Sequence, residues 1–324
     1  MKRYKQIVTC LGAALTVLLM AACSADDGPM TEAPAAVNFS ATVPAFQTRS
    51  IVNGNTDLQS VGFGVFAYYT GSSNWASAAT STPPNFMYNQ LVTYADASSS
   101  WQYSPVKYWP NDNQPADDTG ATGSQEHNYV SFFAYAPYDD GTSLTLSGND
   151  ATGAPTIGYT WVNNTDPASQ ADLLYATPVT DCYKTMTEGY GTVSGHVPFI
   201  FHHALTAIEF KVRRKESTGE QILLQSLSLN TSAAATATSL SQATLNTGGT
   251  FNLGTSAWAS FSTGTPGITY DSSNINTSLI STGTGVTATT NETAHALTSY
   301  TPNLLLLMPQ ESTVTIPFTL SYTL

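Results

Sequence analysis

Positive charge is scarce in this chain: 10 lysines and arginines stand against 22 aspartates and glutamates in 324 residues, a formal net charge of -12. A body of that sign repels phosphate backbones, and the one basic cluster, at residues 211–215, is too short to track a nucleic acid. Nucleic acid is therefore not an expected partner. Cysteine is scarcer still, with Cys10, Cys23 and Cys182 alone. Two of these fall at the extreme N-terminus, so the folded body has no internal disulfide, and Cys182 reads as a partly buried inert thiol. No glycine-rich phosphate loop, CxxC or HExxH pattern occurs. His202 and His203 are neighbours on a strand and point to opposite faces, which prevents them from jointly ligating one metal. Asp112, Asn113, Asp117 and Asp118 offer oxygen ligands, but their spacing fits no known calcium loop and reads as a solvated acidic stretch. No catalytic residue, metal site or cofactor is expected, and the chain reads as a non-enzyme.

Long apolar runs are also lacking. The one apolar stretch, residues 7–22, falls short of the about 18 residues a spanning helix needs, and it comes after Lys2, Arg3 and Lys5. That is the layout of a signal peptide over residues 1–22. It ends in Leu19-Met20-Ala21-Ala22-Cys23, which resembles the bacterial lipobox. The resemblance implies cleavage between Ala22 and Cys23 and acylation of the Cys23 thiol, whose lipid holds the protein to the outer membrane. Loss of residues 1–22 takes the formal charge from -12 to about -15. Residues 23–36 read as a flexible tether. Its Asp26-Asp27 pair resembles the surface-export signal of lipoproteins from anaerobic gut and oral bacteria, and reads equally as a solvated linker.

Period-two alternation dominates the chain from residue 37 onward. It places Val37, Phe39, Ala41 and Val43 on one face of a first strand. It recurs at Phe63, Val65 and Ala67, at Phe132, Ala134 and Ala136 against Phe133 and Tyr135, and at Ile208, Phe210 and Val212. The fold class expected is all-β, with β-sandwich blocks over residues 37–190 and 196–324. Further strands are expected over 204–212, 222–229, 250–253 and 313–322, and residues 253–299 read as a loop-rich part of a sheet. Trp75, in a Gly/Ser-rich stretch, is the aromatic best placed for an exposed ligand contact; the other aromatics suit a core.

Several motifs carry a family resemblance. They include Val37-Asn38-Phe39-Ser40 with Thr48-Arg49 after it, Gly62-Phe63-Gly64-Val65-Phe66-Ala67-Tyr68, Trp101-Gln102-Tyr103-Ser104-Pro105 and Val130-Ser131-Phe132-Phe133-Ala134-Tyr135-Ala136-Pro137. Val197-Pro198-Phe199-Ile200-Phe201-His202-His203 and Gly249-Thr250-Phe251-Asn252-Leu253 come next in order. Together they resemble the fimbrillin-like lipoproteins, the major and minor pilins of anaerobic gut and oral bacteria. The resemblance implies two transthyretin-like β-sandwich domains in tandem, with partners that are other pilin subunits joined by strand addition and an arginine-specific protease. It implies that the protease removes the first strand and that a neighbour's strand fills the groove.

One residue of the sequence bears on this directly. Arg49 is the only basic residue between Cys23 and Lys107. A cut between Arg49 and Ser50 would free the strand Val37, Phe39, Ala41, Val43 together with the lipid, and the mature subunit would reach an extracellular pilus. The family pattern also implies further C-terminal strands, whereas this sequence stops at Leu324: either the sequence is a truncated piece of a longer chain, or the subunit lacks a donor strand and is an accepting chain-end or accessory subunit. The other class of reading is a non-polymerising surface lipoprotein that binds glycan or host protein.

Overall fold

Short alternating runs bounded by Gly, Pro, Asn and Asp favour strands, and strands are what forms. The computed structural model describes residues 34–44, 52–111, 127–163, 165, 169–184, 196–213, 222–231, 233–234, 239–276, 279, 295–299 and 304–323. All named elements lie in the unit Ala36–Leu324. In chain order they begin β1 (Asn38–Thr42), α1 (Asn55–Val61), β2 (Phe63–Gly71), α2 (Trp75–Ala78), β3 (Met87–Ala95), β4 (Ser100–Gln102) and β5 (Tyr129–Ala136). Next come β6 (Thr145–Leu146), β7 (Thr156–Thr160), β8 (Leu174–Ala176), β9 (Val179–Cys182), β10 (His196–His203), β11 (Thr206–Ile208), β12 (Lys211–Val212) and β13 (Leu223–Leu229). The last are β14 (Ala233–Ala234), β15 (Ser239–Leu240), β16 (Leu245–Asn252), β17 (Ala257–Gly264), β18 (Ile268–Tyr270), β19 (His295–Ala296), β20 (Leu305–Leu307) and β21 (Phe318–Thr323). The fold is all-β and sandwich-like.

The largest sheet runs β1-β10-β8-β5-β2-β3-β4, with β9 also on β5. It curls until its ends meet, because β1 lies near β4 and Ala36 bridges Tyr108 just beyond β4. A second sheet runs β17-β16-β7-β6, and a third β18-β13-β21. Strands from both sides of residues 191–195 share sheets: β1 pairs with β10, and β7 pairs with β16. The strand expected over 204–212 is broken in two: β11 pairs with β20 and β12 with β19, and residues 209 and 210 separate them. Residues 253–299 contribute β17, β18 and β19.

The alternation along β2 and β5 has a specific outcome. Val65, Ala67, Phe132 and Ala134 enter a core enclosed by the curled sheet, while Phe66, Tyr68, Phe133 and Tyr135 enter a second core shared with β7, β13, β16, β18 and β20. Over Phe63–Tyr68 and Val130–Ala136 these strands are buried on both faces, and apart from Ser131 their side chains have low demand for water. Gly64 sits in β2 where the Tyr135 ring passes directly over its backbone, and a Cβ there would collide with it. Glycine is required by that close approach.

Candidate functional site

The first strand is the place where the fold is both edge and core. β1 runs parallel to β10, with Phe39 opposite Val197 and Ala41 opposite Phe199. Parallel pairs are somewhat weaker per residue than antiparallel ones, and among the described residues β1 has only this one full ladder. Its inward face is nevertheless buried in the core: Val37 is 0 %, Phe39 2 % and Val43 6 % exposed, with Ala41 half-buried against the same cluster, while Asn38 and Thr42 face outward. Phe39 occupies a cage of four rings. Phe199 stacks on it at 5.5 Å, Tyr103 leans on it at 5.3 Å, and Phe132 and Phe63 meet it edge-on at 6.0 and 6.3 Å.

The seam where the sheet ends meet is closed by polar contacts. The Val37 N–H donates to the Lys107 carbonyl at 2.9 Å, and the Tyr103 hydroxyl donates to the Val37 carbonyl at 2.8 Å. The same hydroxyl accepts the Lys107 N–H at 3.2 Å, so one phenol ties the strand and the 103–107 turn together. Burial raises the Tyr103 hydroxyl above its ordinary value. At the other end, the Val43 N–H donates to Asn55 Oδ1 at 2.8 Å. Tyr103→Phe is expected to loosen the seam by about 1–2 kcal/mol, measured by faster amide exchange at Val37. Unchanged exchange would show that the hydroxyl holds nothing.

Of the residues that the sequence marks for a site, Val37, Phe39, Ala41 and Val43 lie together in the slot, while Ala22, Cys23, Arg49 and Ser50 lie outside the described residues. So do the acidic positions Asp112, Asn113, Asp117 and Asp118. Trp75 opens α2 and is half-buried, its ring packed on Tyr68 at 4.8 Å and Phe133 at 5.0 Å. His202 approaches Thr177 Oγ1 at 3.2 Å, whereas His203 Nδ1 faces Asp172 Oδ1 at 3.1 Å. Sequence pattern does not mark Tyr103, Asn55 or Asp172 as site residues. Their partners lie 66, 12 and 31 or more residues away, which no local pattern encodes.

Among the described residues no group of three or more His, Cys, Asp or Glu side chains is arranged to hold a metal ion, and no helix is long and apolar enough to cross a membrane. Cys182 is buried, and burial, with the Asp181 charge adding to it, pushes its thiol up to about 12. Because the thiolate is the reactive form, Cys182 should resist iodoacetamide at pH 8 in the native protein. It should alkylate rapidly in guanidinium. Fast native labelling, detected by peptide mass spectrometry, would contradict that environment.

Residues 48–324 match the family described as fimbrillin-like. The chain belongs to the fimbrillin-like family. A similar protein is the fimbrium subunit Fim1C of Phocaeicola vulgatus, 34% identical over 205 residues, which are 60% of this chain and 48% of that one. The aligned part thus spans about half the length of that relative. Among solved structures, a fimbrial protein from Bacteroides vulgatus ATCC 8482 superposes with a TM-score of 0.65 at 24% identity, covering 89% of this fimbrillin-like chain and 82% of its own. That likeness shows a common fold.

Proposed function

We propose that this fimbrillin-like protein is a structural and adhesive subunit of a cell-surface pilus, assembled by exchange of its first strand. In this reading it is exported as a lipoprotein through Cys23, held by lipid at the outer membrane, and cut between Arg49 and Ser50 by an arginine-specific protease. The strand then leaves, and an extended segment of another subunit takes its place against β10.

The observation that carries the reading is the double nature of β1, an edge strand whose Phe39, with Val37 and Val43 at its two ends, is buried in the core. Its departure uncovers an apolar slot and an unpaired row of backbone groups on β10, the two things a recruited strand needs. The ring cage around Phe39 gives that slot a side-chain preference, a large aromatic or aliphatic group at the second inward position. Membership in the fimbrillin-like family supports the reading further, and the family match begins at residue 48, after β1.

Mass spectrometry of surface-exposed material tests it. A mature N-terminus at Ser50 is expected on fibre-associated molecules. Lipid-linked Cys23 on every molecule in the fibre fraction would defeat the proposal.

A further inference from the structure

If the chain is cut after Arg49, it must come apart on one side of the cut and hold on the other. Val43, on the side that leaves, and Val52, on the side that stays, are both buried in the core enclosed by the curled sheet, along with Leu58 of α1. They belong to one apolar cluster, and α1 lies against β1, so loss of β1 removes neighbours from α1. The departing strand also takes with it the Val43 N–H that bonds Asn55 in the first turn of α1. A second attachment, independent of β1, is needed to keep residues 52–61 in place.

Such an attachment exists. The Val52 N–H donates to Asp172 Oδ2 at 3.2 Å, and the other oxygen of that carboxylate faces His203 Nδ1 at 3.1 Å. Asp172 is 2 % exposed, and Val52 is 1 %. The pair is rooted in strands that remain: Asp172 lies two residues before β8, His203 ends β10, and the two strands are hydrogen-bonded with His203 opposite Leu174. β8 is an interior strand of the sheet, flanked by β10 and β5. A carboxylate buried in an apolar core is retained only where its oxygens are held, and here one of them holds the chain just downstream of the cut.

We propose that Asp172, oriented by His203, is a positioning residue that latches Val52 to the body, so that removal of β1 stops at the cut and does not unravel residues 52–61. The latch rests on the reading that the chain is cut after Arg49, but it is testable without any protease.

Native-state hydrogen exchange on the intact chain is the test. Phe39→Ala loosens β1, and the amides of Val37 and Val43 should then exchange about tenfold faster or more, while those of Val52 and Leu58 stay within about threefold of wild type. Acceleration of all four amides in step would overturn the latch, because it would show that residues 52–61 open with β1. Phe39→Leu supports the same comparison if the alanine variant does not fold. Asp172→Asn keeps the shape but not the charge, and should speed Val52 exchange about tenfold while leaving Val37 and Val43 unchanged. No change at Val52, or an equal change in β1, also overturns it. Failure to find cleavage at Arg49 in cells would leave these measurements standing, which separates the two ideas.

Discussion

Arg49→Ala should keep the protein lipid-linked and almost wholly out of fibres. The argument is one of competition for a slot. While the chain is continuous, β1 is tethered to its own groove, and a short tether holds its effective concentration at about the millimolar level. An incoming strand present at micromolar concentration is then outcompeted by about a thousandfold, even with equal side-chain fit. Cleavage makes β1 a separate peptide, which is diluted once it leaves. No alternative basic residue can substitute, because Arg49 stands alone between Cys23 and Lys107. The measurement is the fraction of subunit in sheared surface fibres, compared with membrane-bound subunit carrying palmitate. Arg49→Lys separates protease types: it should behave like the alanine variant under an arginine-specific enzyme and like wild type under a trypsin-like one. Fibres of normal abundance in Arg49→Ala would end the maturation scheme.

The second large effect belongs to Phe39. Truncating a fully buried phenylalanine costs about 3–5 kcal/mol, and here four rings at 5.3 to 6.3 Å lose their partner together. After cleavage, the peptide carrying β1 with Phe39→Ala should therefore leave the body more than about a hundredfold faster than the native peptide. Ser40→Ala, a half-buried neighbour on the opposite side of the strand, is the control and should leave the rate nearly unchanged. Labelled peptide release, monitored by size-exclusion chromatography or fluorescence, reads the ratio. A ratio near one would mean that the ladder with β10, rather than the aromatic cage, sets the lifetime of the joint.

The alternation of Val37, Phe39, Ala41 and Val43 and of Phe132, Ala134 and Ala136 against Phe133 and Tyr135 is legible because strand periodicity is a property of consecutive residues. The strand ends are less so. The C-terminal strand expected over 313–322 forms only as Phe318–Thr323, and the one expected over 250–253 extends back to Leu245 through a glycine pair, Gly248 and Gly249, that bulges against β17. α1 and α2, at seven and four residues, are too short to display a helical period. Tyr103 and the Asp172–His203 pair act through single polar atoms across long sequence separations. The meeting of the sheet's two ends at β1 arises from curvature, which no window of sequence contains. Reading Trp75 from its Gly/Ser surroundings likewise gives no sign of Tyr68 and Phe133, the rings it rests on.

The double burial of β2 and β5 has a consequence for how such a molecule would survive being opened. With Val65, Ala67, Phe132 and Ala134 turned one way and Phe66, Tyr68, Phe133 and Tyr135 the other, the pair of strands works as a bulkhead between two hulls. Were the first to be breached by loss of β1, water would stop at the bulkhead, because the backbone groups there are already paired and the far side is filled. Under the proposed exchange, one compartment would stand empty between partners while the other keeps the vessel afloat.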